Sequence, residues 1–147
     1  MRRFAVHGLA LVMVLAPAAG AVAQDVAPTI SFERFKQLRW VVGAWKGSGG
    51  GYAAFYETYD MVDDSTMRRY SWTDSTFSRE QDSARFEWRA GHLSQVRNGR
   101  ALPAMKFTGD TVQWAPPGAT WIRTSKDAWQ AILAGGGTVY SLVRVRR

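Results

Sequence analysis

Along most of the chain, apolar and polar residues change places at every second position. The clearest stretch is Ala84-Arg85-Phe86-Glu87-Trp88-Arg89, apolar at even numbers and charged at odd ones. That is the pattern of a strand with one buried and one wet face. Residues 67–73 repeat it, with Tyr70 and Trp72 on one face and Arg69 and Ser71 on the other. Met105 and Phe107 alternate with Lys106 and Thr108, and Val112 and Trp114 with Thr111 and Gln113. Near the end, Val139, Val143 and Val145 share a face opposite Tyr140, Leu142, Arg144 and Arg146. Parity alone turns Tyr56, Tyr70, Trp72, Phe86, Trp88, Trp114 and Thr120 inward, and a one-residue slip in any strand would invert its assignments.

Turn signals separate these runs at short spacing: Asp63-Asp64-Ser65, Ala90-Gly91, Asn98-Gly99, Gly109-Asp110, Pro116-Pro117-Gly118, Ser125-Lys126-Asp127 and Gly135-Gly136-Gly137. Asn98-Gly99 is the strongest, because both residues tolerate positive φ in a two-residue hairpin. Ten candidate strands result: 40–47, 52–62, 66–74, 83–90, 92–97, 103–108, 110–115, 119–125, 128–134 and 138–146. Ahead of them, Ser31 is an N-cap for about two helical turns with Phe35 and Leu38 on one side. No connection is long enough to hide a crossover helix, so pairing is expected to be antiparallel and sequential. A sheet of this kind closes on itself and so loses its exposed edges. The expected fold is all-β, an up-and-down barrel of about 8–10 strands after a short N-terminal helix.

Composition changes this picture at the N-terminus. Residues 1–23 have the layout of a cleavable signal peptide: Arg2 and Arg3, an apolar run from Phe4 to Leu15, then Ala21-Val22-Ala23. The run is short and interrupted for a membrane-spanning helix, and ordinary secretion suits Arg2-Arg3 better than a twin-arginine route. Removing these 23 residues from the 147 leaves 124, enough for one domain. The expected division is 1–23 signal peptide, 24–37 tail and short helix, and 38–147 barrel, in a periplasmic or secreted protein with no stable membrane insertion after cleavage. The formal charge of +7 falls to +5 without Arg2 and Arg3. The remaining arginines are scattered singly rather than clustered as nucleic-acid modules require, so no nucleic-acid partner is expected. The chain has no cysteine, which excludes a disulfide scaffold, a thiolate metal site and a cysteine nucleophile.

Gly43-Ala44-Trp45-Lys46-Gly47 follows the short helix and opens the first strand. This Gly-x-Trp opening resembles the lipocalin-like, or calycin, barrels. With Leu38, Trp40, Tyr56, Glu57 and Tyr59 around it, it looks like a bacterial family of exported lipocalin-like domains of unknown function. A weaker resemblance is to the nitrobindins, through the Gly-rich 47–51 stretch. The calycin resemblance implies that Gly43 bends the chain into the barrel and that Trp45 plugs its narrow end. It also implies that an arginine near the last strand packs on that tryptophan, and Arg144 holds that position. The nitrobindin resemblance implies haem on an axial histidine in the C-terminal part of the barrel. This chain has none there, which leaves His92, beside a turn, as the one mature histidine.

The mature chain carries 18 aromatic residues, seven of them Trp. Aromatics at alternate strand positions are core material first, but a barrel of this size either fills its interior or keeps one small ligand. The ligand-lining candidates are Tyr56, Tyr70, Trp72, Phe86, Trp88 and Trp114. Catalytic motifs are missing: there is no Gly-x-Ser-x-Gly elbow, phosphate loop or dinucleotide fingerprint. Asp60, Asp63 and Asp64, with Glu57 nearby, are a carboxylate group that reads more simply as a hairpin turn. The expected function is binding of a small hydrophobic or amphipathic molecule inside the barrel without catalysis, by a monomer or weak dimer needing no cofactor or metal. The alternatives are a side-chain-filled barrel that serves as an interaction module of the envelope, and a haem-binding or small enzymatic calycin.

Overall fold

In the computed structural model, which describes residues 26–146, a capped helix precedes the strands, as the sequence predicts. The Ser31 Oγ accepts the Arg34 amide at 3.2 Å and starts α1 (Phe32–Lys36). A short 3-10 helix over Gln37–Val41 continues it, burying Phe35, Leu38 and Val41. The expected leader, 1–23, lies outside the described residues.

Ten strands follow: β1 (Gly43–Gly49), β2 (Tyr52–Met61), β3 (Thr66–Trp72), β4 (Glu80–Arg89), β5 (His92–Arg97), β6 (Arg100–Thr108), β7 (Thr111–Trp114), β8 (Thr120–Ser125), β9 (Ala128–Ile132) and β10 (Val139–Val145). Each pairs antiparallel with its neighbours in sequence, and β10 returns to pair with β1 from Ala44↔Val145 to Gly49↔Tyr140. The result is the closed up-and-down barrel that the alternation predicts. Asn98 and Gly99, with φ of 49° and 75°, make the expected two-residue turn. The ladder therefore begins at Arg97↔Arg100, three residues earlier on β6 than the pattern alone places it.

The helical segment lies across one end of the barrel and is tied there by indoles. Trp40 Nε1 donates to the Gly109 carbonyl at 2.8 Å and Trp88 Nε1 to the Ile30 carbonyl at 2.7 Å. Phe32 packs on Trp88 with ring centroids 5.1 Å apart. Trp40 thus belongs to this cap, and β1 starts at Gly43 instead of residue 40. Inside, Trp45, Trp114, Trp121, Trp129, Phe86 and Tyr59 form one aromatic cluster with neighbouring centroids 5.0–6.1 Å apart.

The inward faces of β4, β7 and β10 are Phe86 and Trp88, Trp114, and Tyr140, Leu142 and Arg144. Four other assignments by parity, on three strands, are reversed. Tyr56 points out because Glu57 and Tyr59 point in, and Thr120 points out because Trp121 points in. On β3 the alternation is correct but its sense is not: Met67, Arg69 and Ser71 face the interior and Tyr70 and Trp72 the exterior. The inward arginine is stabilised by carboxylates on the flanking strands, and the outward aromatics are covered by the 73–79 loop.

Gly43, Trp45 and Arg144 come together at the closed end. The Arg144 guanidinium sits over the Trp45 ring, 4.3 Å from its centroid. Its Nη1 donates to the Val42 carbonyl at 2.9 Å, its Nη2 to the Trp40 carbonyl at 3.2 Å, and its Nε faces Asp127 at 3.3 Å. Gly43 has φ of 130°, and a Cβ there would run into Arg144 Nη1. One side chain thus holds the last strand, the end of the 3-10 helix and the turn between β8 and β9. Arg144→Ala should lower the unfolding free energy by about 3 kcal/mol in urea titration, the cation–π contact and two half-buried carbonyl bonds acting together. Arg144→Lys keeps the charge without the planar fork and should recover less than half. A loss below about 1 kcal/mol for the alanine variant would mean that closure does not depend on this contact.

Candidate functional site

The end of the barrel away from the helix is open, and a cavity of about 780 Å³ leads from it toward the aromatic cluster. Tyr52, Asn98, Pro117, Gly118 and Leu133 stand at its mouth, and Trp121, Trp129 and Tyr59 reach its inner end. The volume lies within the usual range of small-molecule pockets.

The walls differ in chemistry. One side, from β8, β9 and β10, presents Trp121, Trp129, Ala131, Tyr140 and Leu142, joined by Phe55, whose ring lies over Gly47 and meets Tyr140 edge-on at 5.3 Å. The other side, from β2 to β6, carries the polar groups, with Leu102 among them. Glu57 accepts from the Tyr59 hydroxyl at 2.7 Å, from Arg69 at 3.3 Å and from the Ser71 hydroxyl at 3.4 Å. Arg69 reaches on to Asp82 at 2.7 Å, and Asp82 receives Arg97 through Nη2 at 3.0 Å and Nε at 3.3 Å. A chain of alternating charge thus runs along the wall from the buried end to the mouth, where Arg100 also lines the cavity.

Burial, then the charge of Glu57 and the bond to it, push the Tyr59 phenol well above its ordinary value, more than Arg69 pulls it back. Burial works against the Arg69 charge, but Glu57, Tyr59 and Asp82 outweigh it and hold the guanidinium above its ordinary value. Arg69 Nε and Trp129 Nε1 are buried, line this cavity by residue, and find no acceptor in the protein among the described residues.

The residues expected to line a ligand site separate into three places. Phe86 and Trp114 are buried in the aromatic cluster, below the cavity lining. Trp88 faces in at the closed end, under the helix. Tyr56, Tyr70 and Trp72 lie on the outer face, where Tyr70 and Trp72 border a groove of about 600 Å³ with Thr58, Asp60, Phe77 and Arg146. Asp74 anchors the loop over it, accepting the Thr76 amide at 2.8 Å and the Ser78 hydroxyl at 3.2 Å. Phe77, at φ of 54°, places its ring 5.9 Å from Tyr56 and 6.2 Å from Trp72. His92 is exposed at the closed-end turn and is not part of the cavity lining. The carboxylates at 57–64 do not act together: Glu57 faces the interior, and Asp63 caps its own turn through the Ser65 amide at 2.8 Å.

Sequence reading missed Arg69 and Arg97 because an arginine in an alternating strand reads as the wet face, and Asp82 and Arg100 because the expected strands begin only at 83 and 103. The inward Met67, two residues before Arg69, was the available signal.

No family model and no curated protein matches the chain. Among solved structures, a redesigned β-barrel is similar over 74% of this chain and 93% of its own, at 6% identity and a TM-score of 0.36.

Two predictions follow from this geometry. Arg69→Met leaves the buried Glu57 without its counter-ion and Asp82 with Arg97 alone, and should cost about 3–5 kcal/mol. The double variant Glu57→Gln/Arg69→Met should cost less than the two single changes together, which a double-mutant cycle in urea measures. The second concerns the Asp74 carboxyl, which bonds from Thr76 hold below its ordinary value of 3.8. A depressed folded pKa contributes stability that is complete above the unfolded value and disappears as pH falls through the folded one. The gap in Tm between the parent and Asp74→Ala should therefore be full at neutral pH and close as pH falls below 3.8.

Proposed function

We propose that this chain is an exported lipocalin-like barrel that binds a small hydrophobic or amphipathic molecule in its interior and does not convert it. The observation that carries the reading is the cavity at the open end, with an apolar, ring-rich wall facing a polar one. Such a lumen removes apolar surface of a guest from water while a few fixed polar groups orient it. The unpaired donors of Arg69 and Trp129 favour a guest with an acceptor group. The lipocalin-like character is supported by the 3-10 helix leading into Gly43-x-Trp45 and by Arg144 over the indole. Export to the periplasm or beyond is supported by the layout of residues 1–23.

Purified residues 24–147 should retain a small apolar species in native mass spectrometry or, once stripped of it, take up an apolar fluorescent probe at one site. The Kd should be on the order of micromolar, read by quenching of Trp121 and Trp129. Ala131→Phe, which puts a ring into the lumen beside Trp121, should weaken uptake about tenfold with little change in Tm. A parent protein that takes up neither probe nor native ligand would sink the proposal.

A further inference from the structure

The Asn98-Gly99 turn makes Arg97 and Arg100 direct cross-strand partners, and both line the mouth of the cavity. Like charges placed opposite each other on a hairpin repel, so this pairing is unfavourable unless an anion is shared. The carboxylates nearby are already engaged. Glu57 serves Tyr59, Arg69 and Ser71, and Asp82 serves Arg69 and Arg97. Three arginines thus stand against two carboxylates along this wall, an excess of one positive charge. Arg97 commits Nε and one Nη nitrogen to Asp82, which leaves its other Nη. Among the described residues Arg100 enters no ion pair or side-chain hydrogen bond, and no charged residue of β8, β9 or β10 lines the cavity.

We infer, building on the ligand-binding reading above, that the occupant is an amphiphile with a monoanionic head. Its apolar part lies along the wall of Trp121, Trp129 and Leu142, and its head sits at the rim between Arg97 and Arg100. A neutral head forgoes the charge-assisted bonds that these guanidiniums offer, and a cationic head meets their repulsion with no free carboxylate in reach. The tail is needed because the rim alone is exposed to water and salt, where an anion pair contributes little.

The test uses three guests of equal chain length: decanoate, decanol and decyltrimethylammonium, titrated into residues 24–147 at low ionic strength and followed by tryptophan fluorescence. Decanoate should bind at least about tenfold tighter than decanol, and the cation weakest. Arg100→Gln should bring the decanoate-to-decanol ratio close to one, and Arg100→Glu should move the preference toward the cation, with circular dichroism confirming that both variants fold. Added salt should shrink the ratio in the parent, and acetate, a head without a tail, should not displace decanoate at matched concentration. Equal binding of all three guests leaves the ligand-binding reading standing and overturns the head-group inference. So does a decanoate preference that survives both Arg100 variants, or displacement by acetate. Failure of all three to bind overturns both.

Discussion

An up-and-down sheet becomes a barrel only when its first and last strands find each other, and here that join is secured by a single guanidinium. Backbone pairing between β1 and β10 supplies the ladder, but a ladder between chain ends about a hundred residues apart must overcome a large loss of chain entropy. Arg144 adds side-chain contacts at the point where the ladder reaches the cap. It covers the Trp45 ring and takes two carbonyls that the end of the 3-10 helix leaves without partners. Gly43 is required by the same contact, because any larger residue would occupy the space of the guanidinium. The cap, the plug and the seam are thus one structural unit.

From that unit follows the difference between the two ends. The helix and Trp40, Trp45 and Trp88 close one end with rings whose N–H groups are all satisfied by backbone carbonyls. Toward the other end, inward positions become small, as at Gly47, Ala119 and Ala131, or carry long side chains held flat. Arg69 and Arg97 would block the lumen if they extended across it. Their ion pairs with Glu57 and Asp82 lay them along the wall. The cavity is therefore a product of where volume is withheld and of how charges are tied back.

The sequence made the architecture readable because period-2 alternation and turn chemistry agreed at nearly every strand. The resemblance put Gly43, Trp45 and Arg144 forward together, and the geometry brings those three residues into contact. The lumen was not readable to the same degree. Alternation gives two faces but not which one is inside, and hydrophobicity decides only where polar residues stay wet. On β3 it gave the wrong sense, since Arg69 is paid for by partners on β2 and β4 that are distant in sequence. Tyr70 and Trp72 are sheltered by a loop whose fold depends on Asp74. Met67 and Tyr59, apolar residues sharing the faces of Arg69 and Glu57, carried the opposing signal.

The polar wall is the feature that stability alone does not account for. Replacing a buried chain of ion pairs by apolar residues of similar volume is commonly neutral or stabilising, and the aromatic cluster shows that this barrel packs rings densely where it can. Continuing that cluster to the mouth would have produced a solid core. Instead only one wall continues in rings, through Phe55 and Tyr140, and on the other Glu57, Arg69, Asp82 and Arg97 run paired from the cluster toward solvent. Paired charges on one side of a lumen, with Arg100 added at the mouth, keep that side wettable. A wall so divided is what the proposed binding role requires, an interior that exchanges water for a molecule with two unlike sides.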